Sequence, residues 1–439
     1  MDKPNVIIIG AGIIGCAIAF ELGKRGYKTL NIDKLPTAGF GSTSNSCALV
    51  RAHYSTWDGV AMAYENFKYW EDWSNYLETE DERGLAKYLQ IGSYIICTEA
   101  RDMVSTLPIF DEVGVKYEEW DLETAKEKFP LADLHTHYPV RRPEDPAFWE
   151  ESTEPILGVV FTPESGYVND PQLATHNLMR AAEAKGGKFM FNAEVTAVRQ
   201  NNGRGQHRRV TGITLADGTE LDAPIIINVA GPHSFVINRM AGVEEEMNIK
   251  TRALKHLVAL VPAPDGFNFE KDGYHVSDVD IGAYGRPETG NRVLIGSEDP
   301  PCDTQEWIDD PDNYDRTLDE AQFKAQVLRM AKRIPSLPVP DNPQGLVDLY
   351  DVSDDWMPIY DKSALPGFYM AIGTSGNQFK NAGGAAHMLA EIIEAVEAGH
   401  DQDNDPLQVK MPYTGVVLNT GFYSRLREIN RDSSFSVLG

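Results

Sequence analysis

The run Val6-Ile-Ile-Ile9, followed at once by Gly10-Ala-Gly-Ile-Ile-Gly15, limits what this chain can fold into more than any other stretch. Four β-branched residues in a row predict a strand buried on both faces of a parallel sheet. Apolar positions at Ala17, Ile18, Ala19 and Leu22 predict a helix that stops at Gly26, and Lys28 to Ile32 predicts a second strand ending at Asp33. In such a unit Gly10 permits the tight turn, Gly12 lets the main chain approach a pyrophosphate, and Gly15 lets the helix pack on the strand. The helix N-terminus, with the flanking Ile13 and Ile14, faces the phosphates. Asp33 stands where an acid accepts hydrogen bonds from a ribose and would repel a 2′-phosphate. The unit binds a dinucleotide, and by itself it does not separate FAD from NAD.

The 439 residues are too many for one ordinary core, and 42% of them are hydrophobic, so two packed domains are expected. Forty basic against 66 acidic residues leave a formal charge of −26, which repels nucleic-acid backbones and anionic lipid surfaces. Cys16, Cys47, Cys97 and Cys302 show no paired spacing, which argues against a metal knuckle or disulfide framework and for a reducing compartment. The apolar run Val6 to Phe20 is broken by glycines and lacks a signal-peptidase site, and no other segment is long enough to span a membrane. A cytoplasmic protein without nucleic-acid partners or metal is expected, its oligomeric state open.

Downstream segments narrow the dinucleotide. Gly39 to Tyr54 is a small polar loop running into an apolar stretch, suited to lying along a flavin. Gly158 to Arg199 predicts a strand, a turn, a helix capped by Asp170 with Pro171 in its first turn, a stop at Gly186-Gly187, and two more strands. Ile225 to Val229 predicts another buried strand, ending in Ala230-Gly-Pro232. Phe368 to Ile372 predicts a strand leading into Gly373-Thr-Ser-Gly-Asn-Gln-Phe-Lys380 and a helix from Ala385 to Ala398, a second glycine-rich strand-to-helix junction.

With these segments together, the chain resembles the D-amino-acid-oxidase-like flavoenzymes, and within them the sarcosine oxidase and dimethylglycine dehydrogenase branch. The matches are the opening fingerprint, Phe161 to Tyr167, Asn228 to Ser234, and Gly373 to Lys380. The resemblance implies an α/β (α+β overall) architecture of the glutathione-reductase type. A Rossmann-like FAD domain (1–88, 158–237, 347–400) would be interleaved with an antiparallel-sheet substrate domain (89–157, 238–346), followed by an extension (401–439). It implies FAD in an extended pose, and the attachment is expected to be non-covalent because Asp348 and Asn45 stand where some relatives bind the flavin covalently. Asp33 and Lys34 would lie at the ribose, Val195 at the adenine, and Ser42, Thr43, Ser44 and Gly231 along the cofactor. Gly376, Asn377, Gln378, Phe379 and Lys380 would lie near the isoalloxazine.

The same resemblance places Arg51 and Lys380 as a clamp for a substrate carboxylate, with Tyr284 and Tyr350 lining the pocket. Without it, a buried Arg and Lys read as structural ion-pair partners and the two Tyr as core. His53, His233 and His256 lie near flavin-facing segments and are candidates for tuning proton transfer. Departures bear on the chemistry. Asp348 and Asn45 occupy positions where some relatives attach flavin through Cys or His, and Cys47 does not align with them. Leu294 stands where several relatives carry an oxygen-activating lysine, for which Lys250, Lys255 or Arg292 are possible stand-ins, and Ala48 replaces a further pocket arginine. The expected activity is oxidation of the C–N bond of a small amino acid or N-methyl amino acid to an imine, with oxygen, a quinone or a carrier protein taking the electrons. The rivals are oxidation of a 2-hydroxy acid or glycerol phosphate, and a flavin subunit of a heteromeric amine dehydrogenase.

Overall fold

The computed structural model describes residues 4–99, 101–201 and 208–439. Among these, six strands form one sheet in the order Ile359–Lys362, Phe368–Ile372, Ile225–Asn228, Val6–Ile9, Thr29–Ile32, Lys188–Met190. All neighbours are parallel except the first pair. Val6–Ile9 sits at its centre, no more than 5% exposed at any residue, as an unbroken β-branched run requires. The helix Ile13–Lys24 follows it and packs between the helices Pro171–Ala184 and Ala382–Glu397. Its small residues Gly15, Ala17 and Ala19 are all buried in this packing.

The second layer is a larger, mainly antiparallel sheet. Its long central strand Thr251–Pro262 pairs with Arg292–Ser297 and Gly345–Ser353, and beyond Arg292–Ser297 come Ala283–Glu288, His275–Asp278, Ser93–Cys97 and Gly158–Thr162. Of these pairings only Ser93–Cys97 with His275–Asp278 is parallel. The sequence boundaries at 158 and 347 cut through this sheet, because Gly158–Thr162 and Gly345–Ser353 belong to it and only then lead back into the parallel one. Its outer face carries the amphipathic helix Glu320–Arg333 over a separate apolar core.

Residues 401–439 pack back onto the body, as expected for Phe422 to Arg427. Arg425 is 1% exposed and meets Asp361 at 3.1 Å and Asp403 at 2.8 Å, while Arg427 meets Asp355 at 2.7 Å. These pairs carry the chain across the molecule until Val437 packs in a cluster with Tyr284, Leu294 and Trp356. No helix among the described residues is long and apolar enough to cross a membrane.

Candidate functional site

A cavity of about 430 Å³ runs from the C-terminal ends of Val6–Ile9 and Thr29–Ile32 to the inner face of the large sheet. At the first end the walls are mostly main chain. The helix Ile13–Lys24 starts at Gly12 without a side-chain cap, and the Ile13 N–H is met by Thr43 Oγ1 at 3.2 Å. Uncapped first-turn N–H groups and the positive end of the helix dipole make this an anion site. Gly10 adopts φ +121°, and a Cβ there would lie 2.4 Å from the Val229 carbonyl oxygen; one on Gly15 would lie 2.4 Å from the Gly10 oxygen. These are backbone contacts that no side-chain movement relieves.

Asp33 is held by two main-chain donors, Ala11 N–H to Oδ2 at 2.8 Å and Leu35 N–H to Oδ1 at 2.9 Å. Burial outweighs those bonds and raises its pKa above the ordinary carboxylate value. Lys34 is tied to His233 at 2.9 Å and to Asp312. Ser42 donates to the Leu349 carbonyl at 3.0 Å.

The loop Gly373 to Lys380 closes the middle of the cavity and is fixed from several sides. The Asp351 carboxylate accepts the Gly373 N–H at 2.7 Å, Tyr54 donates to the Asn377 carbonyl at 2.8 Å, and Tyr360 donates to Gln378 Oε1 at 2.9 Å. Trp70 stacks on Phe379 at 5.5 Å and donates to the Lys380 carbonyl. A Cβ on Gly376 would fall 2.4 Å from the Tyr350 ring, so the loop passes that ring only as glycine. Asn377 lines the cavity, and its Nδ2 is buried and without a partner among the described residues. An orphaned amide donor beside an uncapped helix and a glycine cradle fits a group bearing phosphates at one end and ring carbonyls at the other, as FAD does.

The far end is charged. Arg51 is 4% and Lys380 2% exposed, and neither has a carboxylate within ion-pair distance among the described residues. Arg51 instead donates to two main-chain carbonyls, His53 at 2.6 Å and Val437. Lys380 Nζ donates to the Asn377 carbonyl at 2.7 Å and lies over the Tyr54 ring. Burial, with Arg51 adding to it, drives the Lys380 pKa well below the usual lysine value. The same two causes, burial first and then Arg51, hold His53 and His275 well below the ordinary histidine value.

Tyr284 and Tyr350 face this end, and burial raises both hydroxyls so that they stay protonated donors. Tyr284 Oη lies 3.2 Å from Cys47 Sγ, whose thiol burial also pushes up, and His256 stacks on Tyr350 at 4.0 Å. Asn45 donates to Asp348 Oδ2 at 2.5 Å, so the two positions compared with covalent attachment sites are spent on each other.

The cavity thus gathers Gly10, Gly12, Ile13, Ile14, Gly15, Asp33, Lys34, Ser42, Thr43, Val195, Gly231, Gly376, Asn377, Gln378, Phe379, Lys380, Arg51, Tyr284 and Tyr350. It does not gather Ser44, whose hydroxyl turns back to the Gly41 carbonyl, or His53, which is fully buried behind Arg51 with both ring nitrogens unpartnered. The suggested stand-ins for a pocket lysine are corrected by the geometry: Lys255 pairs with Glu306, Arg292 binds the Thr289 carbonyl, and neither they nor Lys250 line the cavity. His275, Ser277, Glu298, Val437 and Leu438 do line it, and sequence reading missed them all. The only local signal was the alternation His275-Val-Ser277, which puts two polar side chains on one face of a strand.

Comparison with known proteins gives one match to a family model, that of the FAD dependent oxidoreductases, over residues 5–392. The chain is 23% identical to the mitochondrial sarcosine dehydrogenase of Homo sapiens over 396 residues, 89% of this chain and 40% of that protein. It therefore spans about two fifths of that relative's length. It is 24% identical to sarcosine oxidase subunit beta of Rhodobacter capsulatus, covering 89% of this chain and 85% of the subunit. Among solved structures, L-proline dehydrogenase from P. horikoshii superposes with a TM-score of 0.74 at 21% identity, covering 96% of this chain and 97% of that one.

Proposed function

This chain belongs to the family of FAD-dependent oxidoreductases, and from that premise we propose that it oxidises the C–N bond of a small amino acid or N-methyl amino acid. The observation that carries the reading is the pair of buried, acid-free cations Arg51 and Lys380 facing one cavity. Removing a cation from water without a counter-ion costs several kcal/mol (about), and a bound carboxylate is the group that offsets this. Arg51 suits the task because its planar fork takes a carboxylate through two parallel hydrogen bonds. In this reading the substrate carboxylate replaces the Val437 carbonyl on Arg51 and is steadied by Lys380, Tyr284 and Tyr350.

Bound FAD supplies the two-electron acceptor. The chain's own residues position the substrate and exclude water: Val437, Leu438 and Tyr284 close an apolar mouth over the charged floor. The imine product hydrolyses to a carbonyl compound and an amine or ammonia. We infer dissociable FAD, since Asn45 and Asp348 bind each other and neither is a flavin nucleophile. We also infer an acceptor other than oxygen, because the Leu294 position brings no lysine into the cavity. The FAD segments and substrate segments would act as interleaved domains with the boundaries moved to keep Gly158–Thr162 and Gly345–Ser353 in the large sheet.

The test is turnover of the purified chain with sarcosine, glycine and L-proline in the presence of an artificial dye, with the carbonyl product quantified (for proline, the ring-opened or cyclic imine product). Dye reduction matched by product supports the reading. Turnover of glycerol 3-phosphate or lactate instead would move it to the hydroxy-acid rival, and inactivity with FAD fully bound would favour a subunit that needs a partner.

A further inference from the structure

We infer that Glu298 accepts the substrate's nitrogen, so that Arg51 on one wall and Glu298 on the other read the two ends of a zwitterion. This rests on the amino-acid reading of the cavity. Glu298 directly follows the strand Arg292–Ser297, and its own N–H is fixed to the Gly282 carbonyl at 3.1 Å. Its Oε1 is held by Ser277 Oγ at 2.8 Å and by the Asp278 N–H at 3.2 Å, so the carboxylate has one orientation. Its Oε2 has no partner among the described residues, although the residue is only 6% exposed and lines the cavity.

An acceptor fixed by its other oxygen and left unmet inside a protein costs free energy that a ligand donor recovers. The neighbouring acids facing the cavity are engaged otherwise. Asp348 is bound by Asn45 and Tyr314, and Asp351 holds the Gly373 N–H under the loop. Glu298 has no ion pair among the described residues, although Arg101 and, more weakly, Arg51 act on it. Arg101 is itself directed to Ser277, at 3.5 Å. Burial pushes the Glu298 carboxyl up to about 7, so an arriving ammonium finds a group that ionises in its presence.

The consequence is chemical selection. A hydroxyl can donate to the Glu298 carboxylate but brings no charge, whereas an ammonium adds an ion pair to the hydrogen bond, so an amino acid gains more from Glu298 than a hydroxy acid does. A phosphate ester brings only negative charge toward it. Glu298 would therefore set the preference for nitrogen among substrates that Arg51 holds equally well.

The holoprotein is mixed anaerobically and rapidly with sarcosine, glycolate or acetate, and each dissociation constant is read from the flavin spectral change that precedes any reduction, first for wild type and then for Glu298→Gln and Glu298→Asp. Wild type is expected to bind sarcosine at least roughly tenfold more tightly than glycolate, the size expected for one hydrogen bond to a charged group. Glu298→Gln should lose that preference while acetate affinity stays unchanged or improves, and Glu298→Asp should restore part of it. Equal binding of sarcosine and glycolate by wild type would overturn the inference without needing any variant to fold. An equal loss of acetate and sarcosine in Glu298→Gln would also overturn it, as a general disturbance of the pocket. If wild type binds acetate but shows no preference, only the Glu298 inference fails. If it binds none of the three, the amino-acid reading fails and takes the inference with it.

Discussion

The two ends of the cavity are built by opposite means. The nucleotide end is made of main chain and small residues drawn from short continuous runs: Gly10 to Gly15, Asp33 to Lys34, and Ser42 to Thr43. The end proposed for the substrate is made of buried charge, Arg51, Lys380 and Glu298, with His275, Tyr284 and Val437, drawn from stretches that span residues 51 to 437. The first end depends on what is absent, since a single Cβ collides with backbone. The second depends on what is unpaired among the described residues, since Arg51 and Lys380 have no carboxylate and Glu298 no cation within ion-pair distance.

That contrast predicts where damage is total and where it is graded. The largest effect is expected from Gly15→Val, whose Cβ would meet the Gly10 carbonyl oxygen at 2.4 Å. It should be purified without yellow colour, its flavin-to-protein absorbance ratio near zero, and added FAD should not restore it. A variant that holds FAD normally would break the claim that steric vacancy builds this end.

Arg51→Ala should leave the flavin ratio intact while weakening acetate binding by ~1.5–3 kcal/mol, roughly 10- to 150-fold, the range for hydrogen bonds to a charged group. Flavin titration measures both. Loss of FAD together with acetate binding would erase the division between the two ends.

The third effect is smaller and concerns protons. Burial and Arg51 lower the Lys380 pKa, and a bound carboxylate raises it again by favouring the ammonium. Binding should therefore take up a fraction of one proton when the pH lies between the free and bound values, and acetate affinity should fall as pH rises through the free-enzyme pKa. Calorimetry in two buffers of different ionisation enthalpy reads the uptake. Lys380→Met should abolish it, and an unchanged uptake in that variant would assign the proton to another group.

The same contrast explains what was legible in the sequence. The nucleotide end is written in consecutive residues, so strand, glycines, helix and Asp33 were all found at their places. Even there one boundary moved. The last helix starts at Ala382 and not Ala385, because Gly383 and Gly384 are inside it and small for packing: a Cβ on Gly383 would lie 2.5 Å from the Tyr69 ring. Arg51 and Lys380 were singled out only through family resemblance, since nothing local distinguishes an unpaired buried cation from a paired one. Glu298 and Ser277 carried no such signal, because their meeting depends on the register of adjacent strands of the large sheet. The tail was legible as a segment that packs back, yet its reach to Arg51 depends on the Arg425 and Arg427 pairs, which only the folded chain brings together.

The central claim is that one cavity requires both a carboxylate and a nitrogen on the molecule that reduces its flavin. It is tested most directly by mixing the holoprotein anaerobically with sarcosine, with dimethylamine, which lacks the carboxylate, and with glycolate, which lacks the nitrogen. The account predicts that sarcosine, or another small amino acid in its place, bleaches the flavin absorbance and that the two truncated partners leave it oxidised. Bleaching by dimethylamine or glycolate as fast as by any amino acid would contradict it.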